Sequence, residues 1–313
     1  MEHPTTTQAQ MRALRRKFAP GLLRPFSGMS LSVRFGEIAQ TILSRWPIKS
    51  LPSKSTAEFC YLTIGGRVHW LMLRESLLSL YHAWQNLPEI TVVSDGSWTA
   101  AEFEQVFAWW PHKIKVLSRQ DICTVVRAAG DLELASYAEA SPYGLKLAAI
   151  ISQARLQPVL FVDADILWFR DPVPVLGNPL TWGKPRGVRE SNCYQRRDMA
   201  MRYCPQVLEP PFVNGGILAL KEEFLQPDLL CNMVREALAD PKEGSFEQTI
   251  IATSVRFGGG LFPEELSLVA FDDVNKFRRR DMFQEGYYSR HYVNWMRHLL
   301  YRDALRIRMR KRL

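Results

Sequence analysis

Asp163 and Asp165 stand one residue apart at the end of the apolar run Val159-Leu-Phe-Val162. Such a run, set between a helical pattern and a turn, predicts a buried parallel strand. Side chains two apart on a strand share a face, so both carboxylates are expected to project together from its carboxyl end. Ligands bind at that end in open α/β sheets. Two hard oxygen donors so placed suit Mg²⁺ or Mn²⁺, and such an ion brings a diphosphate with it. The pair fits equally an ordinary strand ending in a solvated acidic turn, because Asp-x-Asp is a common pattern. Lys146 opens a predicted helix, Tyr143–Arg155, where it would either face an anion bound at the helix start or point to solvent. Gly65-Gly66 ends another apolar strand and either admits a ligand close to the backbone or forms a tight turn.

Holding these groups together requires alternating strands and helices, and the pattern supplies them. Apolar runs predict strands at Glu58–Ile64, Glu89–Ser94 and Ile114–Leu117. Between them lie a helix over Val68–Asn86, with Leu71, Leu73, Leu77, Leu78 and Tyr81 on its apolar side, and a helix from the capping box Thr99-x-x-Glu102 to Trp110. After the Asp pair, Phe169-Arg-Asp-Pro172 breaks the strand, and Leu180–Gly187 predicts the next one. Gly187–Pro211 reads as a long surface loop, a candidate lid on the acceptor side. Phe212–Leu220 is an Asn214-Gly215-Gly216 turn running into a buried strand. Helices are expected at Glu222–Ala239 and Glu247–Arg256, a strand at Leu266–Phe271, and a last helix after Tyr292. This order means a doubly wound, mostly parallel sheet flanked by helices.

The 313 residues, 47% of them hydrophobic, suffice for one large α/β domain. The net charge of +8 is concentrated at the ends: residues 1–55 carry +7, residues 302–313 carry +5, and the middle carries −4. Terminal basicity does not make the central domain a nucleic-acid binder. It offers a peripheral contact to an anionic membrane surface, or stays as solvated tails. Residues 29–46 could form an amphipathic helix with Leu31, Phe35, Ile38, Ile42 and Trp46 at helical spacing. The expected organisation is a basic extension (1–55), a catalytic domain (56–301) and a basic tail (302–313). Five scattered cysteines without a C-x-x-C pair argue against a disulfide scaffold or a zinc ribbon and for a reducing compartment. With no signal-peptide pattern and no membrane span, a cytoplasmic location is expected.

Taken in order, the apolar strand with Asp-x-Asp, the Asn-Gly-Gly strand, the acidic-Gln helix and a late His-aromatic pair resemble a GT-A-fold glycosyltransferase. The pattern is nearest the family that includes glycogenin and the bacterial galactosyltransferases. The resemblance covers roughly residues 57–300 and rests on Leu160-Phe-Val-Asp163-Ala-Asp165 and Val213-Asn-Gly-Gly-Ile-Leu218. In the family's final motif, His291, Tyr292 and a cation at Arg297 match, while its Gly, Pro and Trp are replaced.

The resemblance implies Asp165 and His291 as ligands of Mn²⁺ (or Mg²⁺), with Asp163 on the metal or the ribose. It implies Arg297 and Lys146 near the diphosphate or sugar, and Thr63, Gly65 and Asp95 along the nucleoside. Asn214 and Gly215 would border the sugar. Glu247 would be the base of an inverting reaction, and Gln248 would lie near the sugar in a retaining one; Glu247 also fits a simple helix-start charge. The implied function is hexose transfer from a nucleotide-diphosphate sugar, UDP-linked, to a glycan, a lipid-linked or a protein acceptor. Arg278-Arg279-Arg280 reads as surface or as a clamp on an anionic acceptor. Two other functions fit parts of the pattern. A haloacid-dehalogenase-type phosphatase also opens with strand-Asp-x-Asp, although here the motif is mid-chain and followed by Ile166-Leu167. A non-catalytic GT-A-like binding domain would use the basic ends instead.

Overall fold

Strands that are apolar at every position need cover on both faces. The computed structural model describes residues 28–221, 224–269, 282–284, 286–293 and 296–311, and the chain divides into two compact units. Pro47–Val293 forms the larger. Its strands are β1 (Thr56–Gly65), β2 (Leu87–Ser94), β3 (Lys115–Leu117), β4 (Val159–Val162), β5 (Ile166–Trp168), β6 (Arg186–Glu190), β7 (Phe212–Leu220), β8 (Gly260–Leu261), β9 (Ser267–Leu268) and β10 (Ser289–His291). Seven of them make the main sheet in the order β3-β2-β1-β4-β7-β6-β8, and the other three make a small sheet in the order β5-β10-β9. The main sheet is parallel except for β7, which runs antiparallel to both β4 and β6.

Alternation along each strand divides the core in two. Cys60, Leu62, Val159, Phe161, Leu218 and Leu220 face one side, and Tyr61, Leu160, Val162, Ile217 and Ala219 face the other. The second face packs on helix α2 (Trp70–Ala83) and on Trp84, Trp168 and Trp182. The first packs on α4 (Arg119–Ala128), α5 (Leu132–Ala140), α6 (Pro142–Ala154), α9 (Pro227–Ala237) and α10 (Gly244–Arg256). The capping box at Thr99 is formed, but helix α3 ends at Val106 (Ala100–Val106).

Four local expectations change. The strand expected at Leu180–Gly187 is β6, further along, so residues 187–211 are not a long loop: they include the end of β6 and helix α8 (Arg197–Tyr203). Met199, Ala200, Cys204 and Val207 are buried there, which anchors the segment instead of freeing it as a lid. Asn214-Gly215-Gly216 lies inside β7, with no turn: Asn214 pairs with β6, and at the register shift that follows the Gly215 and Gly216 N–H groups donate to the Gln248 and Asn214 side chains. The helix expected from Glu222 begins at Pro227, the N1 position that fixed φ favours.

The smaller unit pairs helix α1 (Gly28–Arg45) with helix α11 (Arg297–Lys311). A Cβ at Gly36 would lie 2.5 Å from the carbonyl oxygen of His298, so the missing side chain permits this close crossing. The basic stretch from residue 302 is helical through Lys311. It buries Asp303 and Arg308, the latter donating to the Trp46 carbonyl at 3.4 Å. Arg12, Arg15, Arg16, Lys17 and Arg24, and Arg278-Arg279-Arg280, lie outside the described residues. No helix among the described residues is long and apolar enough to cross a membrane.

Candidate functional site

Asp163 and Asp165 do not share a strand face. β4 ends at Val162, and Asp163-Ala-Asp165 is the turn that carries the chain from the main sheet into β5. The Asp163 N–H donates to the Gly216 carbonyl at 2.8 Å, which keeps the turn against β7. The small sheet then delivers the histidine. β10 pairs antiparallel with β5 so that His291 stands opposite Ile166, and Tyr292 N–H donates to the Asp165 carbonyl at 2.9 Å. One donor atom from each of Asp163, Asp165 and His291 falls within 4.8 Å of the others. His291 Nε2 is 3.1 Å from Asp165 Oδ1 and 3.7 Å from Asp163 Oδ2.

A second set of charges lies behind the first. Lys146, buried on α6, places its ammonium 3.2 Å from Asp163 and 3.0 Å from Glu247, and 4.7 Å from the centre of the Phe161 ring. Ser141 caps α6 and Pro142 begins it, so Lys146 belongs to the second turn and points inward with its neighbours. Burial works against its charge, but the Asp163 and Glu247 carboxylates overcome this and its pKa is raised. Glu247, 1% exposed, is pushed up by burial and held back by Lys146. Its Oε2 accepts from Gln248 Nε2 at 2.8 Å, and Gln248 Oε1 accepts from the Gly215 N–H at 3.2 Å. A Cβ at Gly215 would come within 2.9 Å of Ile251, so this glycine serves the packing of α10 on β7.

Burial also opposes protonation of His291; Asp165, Asp163 and Glu190 outweigh it and raise the pKa. His291 Nδ1 lies 3.0 Å from Asn214 Oδ1, and Asn214 Nδ2 donates to Glu190 Oε2 at 3.0 Å. Glu190, at the end of β6, is pushed up to about 7 chiefly by burial. It fell in the segment expected to be a loop, and no motif in the sequence marks it.

Thr63, Gly65 and Asp95 stand at the carboxyl ends of β1 and β2, the adjoining edge of the same sheet. The Thr63 hydroxyl is buried without a hydrogen bond among the described residues. Gly65 would carry a Cβ 2.6 Å from Leu73, and Asp95 is committed to its own turn, accepting from Ser97 N–H at 2.9 Å. Arg297 begins α11 in the smaller unit.

No protein-family model and no curated protein matches the chain. Solved structures do. A galactosyltransferase, LgtC, in complex with donor and acceptor sugar analogues is 11% identical, with 79% of this chain and 95% of that one covered at a TM-score of 0.50. The bifunctional glycosyltransferase WbbM is also 11% identical, covering 82% of this chain and 51% of that one at a TM-score of 0.51. Mouse xyloside xylosyltransferase 1 is 12% identical over 77% of this chain and 98% of that one, at a TM-score of 0.49. At these identities the likeness to LgtC and WbbM establishes the fold alone: the chain has the GT-A fold, as the motif order implied.

Proposed function

We propose that the protein is a metal-dependent glycosyltransferase that moves a hexose from a nucleotide-diphosphate sugar, with UDP as the nucleotide, to a glycan, lipid-linked or protein acceptor. The observation that carries this is the convergence of Asp163, Asp165 and His291 at the carboxyl edge of a GT-A sheet. The donor set suits Mn²⁺ or Mg²⁺: two carboxylate oxygens and an imidazole nitrogen, with the nitrogen favouring Mn²⁺. Charge agrees with this. Asp163, Asp165 and Glu247 against Lys146 leave two negative charges when His291 is neutral, which a divalent cation balances. Bound there, the ion would act as a Lewis acid toward the donor diphosphate while the sugar–phosphate bond breaks.

The chain's own residues have separate tasks in this proposal. Asp163, with 29% of its side chain exposed, is the ligand that faces incoming donor. Lys146 holds Asp163 and Glu247 in place and keeps positive charge behind the sugar. Glu247 is inaccessible and ion-paired, so it serves better as the counter-ion of Lys146 than as the base for an acceptor hydroxyl arriving from solvent. Thr63, Gly65 and Asp95 line the edge where the nucleoside would lie. Five unpaired cysteines support a cytoplasmic location, and the basic stretches support a peripheral contact with anionic lipid.

The test is calorimetric titration of UDP, with and without Mn²⁺, into the wild type and Asp165→Ala. Metal-dependent binding that the variant loses supports the proposal and calls for a screen of UDP-sugars for hydrolysis. Equal binding without metal would sink it. A non-catalytic binding domain would keep its partner when Asp163, Asp165 and His291 are replaced together, and a transferase would lose metal and donor.

A further inference from the structure

Asn214 has only one way to satisfy its neighbours. Its Oδ1 accepts the Gly216 N–H at 2.8 Å, a backbone donor that only the oxygen end of the amide can meet. Its Nδ2 is thereby turned toward Glu190 Oε2. The same Oδ1 faces His291 Nδ1 at 3.0 Å, and an atom fixed as an acceptor requires the proton to be on Nδ1. Asp165 Oδ1, 3.1 Å from Nε2, is a second acceptor for the ring; once a metal ion replaces the proton there, Nδ1–H is kept and the Nε2 lone pair faces the two aspartates. Glu190 is anchored in turn, its Oε1 accepting from the Ser191 N–H at 2.9 Å. All three side chains are buried. Gly216 leaves the room they need, since a Cβ there would come within 2.4 Å of the His291 ring and 2.8 Å of Asn214 Oδ1.

We propose that Glu190 and Asn214 are positioning residues. Through the amide they fix neutral His291 as the Nδ1–H tautomer and aim Nε2 at the carboxylate pair as a ligand for a divalent metal ion. This rests on the metal-site reading above. Asn214 is on this account engaged with its protein neighbours through both ends of its amide, and its distance from any bound sugar is secondary to its hold on the histidine. Removing an outer partner of a metal-bound histidine typically weakens metal binding about 10–100-fold.

The experiment has two readouts on the full-length chain. Free Mn²⁺ is followed by electron paramagnetic resonance during titration of the wild type, Asp165→Ala, Glu190→Ala and Glu190→Gln. The tautomer of His291 is read from its ¹⁵N shifts in metal-free Asp163→Ala/Asp165→Ala, where neither carboxylate competes for the Nε2 proton, at a pH high enough to neutralise the ring. The expected result is an Nδ1–H tautomer, with Mn²⁺ binding about 10–100-fold weaker in Glu190→Ala. Glu190→Gln keeps one acceptor oxygen, which can serve Asn214 only by giving up the Ser191 N–H, so it should bind Mn²⁺ between the Glu190→Ala and wild-type levels. An Nε2–H tautomer in that double variant overturns the proposal without need of any change at Glu190, so a Glu190→Ala chain that fails to fold does not shelter it. Unchanged Mn²⁺ affinity in folded Glu190→Ala overturns it as well. Absence of Mn²⁺ binding in the wild type, or binding that survives Asp165→Ala, overturns the metal reading and this role with it; the tautomer still reports separately whether Asn214 sets the ring.

Discussion

The Lys146 ammonium lies 3.0 Å from the Glu247 carboxylate, joining the second turn of α6 to the first turn of α10 beneath the Asp163 turn. Both groups are buried, so the pair is costly to make and more costly to break. Lys146→Met should destabilise the fold by about 3–5 kcal/mol, because it leaves the Glu247 carboxylate buried without its partner. The double variant Lys146→Met/Glu247→Gln should recover part of that loss, and urea unfolding of it and of the Lys146→Met and Glu247→Gln single variants gives the coupling. Additive losses would show that the two side chains are not energetically paired.

Mn²⁺ binding should weaken as pH falls. The metal needs the neutral imidazole of His291, and the aspartates beside it raise its pKa above the ordinary histidine value. Below that raised pKa each ion must displace a proton, which costs about tenfold in affinity per pH unit. The metal-free protein responds in the opposite sense. Its protonated His291 contributes stability below the unfolded pKa, and this is lost as pH rises through the folded one. Calorimetric Kd values for Mn²⁺ between about pH 6 and 8 check the first claim; a flat profile would contradict it.

Glu190 gives a stability signature of its own. Its folded pKa of about 7 lies above the unfolded carboxylate value, so the folded state binds more protons between the two. The contribution is fully present below the unfolded pKa and is lost as pH rises toward and past 7. Glu190→Gln stays neutral throughout, and should gain on the order of 3 kcal/mol relative to the wild type on going from acid to alkaline pH. Melting temperatures at about pH 5 and pH 8 test this; an equal difference at both would remove burial as the cause.

Gly216→Ala should cost about 1–3 kcal/mol and weaken Mn²⁺ binding, since its new methyl group collides with His291 and Asn214. Gly183→Ala, with nothing within 4 Å of the added carbon, is the control and should change neither. Thermal melts and metal titrations of the two variants decide the matter.

The sequence was most informative where a signal is local. Val159–Val162 is apolar on both faces, and that alone implied a covered central strand. The Thr99-x-x-Glu102 box formed as spacing required, because capping is settled within one turn of chain. The order of Asp163, Asp165, Asn214, Gly215, Glu247, Gln248 and His291 pointed to the fold that the structure has. Strand limits between residues 180 and 211 were misplaced, since Arg186–Glu190 has little apolar periodicity and is a strand only because β7 and β8 pair with it.

Tertiary structure alone decided which of these residues meet. The i, i+2 spacing brought Asp163 and Asp165 near one another, but the meeting with His291 depends on β10 lying antiparallel to β5, a pairing between segments far apart in the chain. Lys146 was ambiguous between solvent and ligand until α10 placed Glu247 against it. Glu190 carried no mark at all until β6 paired with β7 and set its carboxylate against Asn214. The physical reason is common to all three: a side chain's partners, burial and protonation are properties of the space around it, and long-range strand pairing and helix packing build that space.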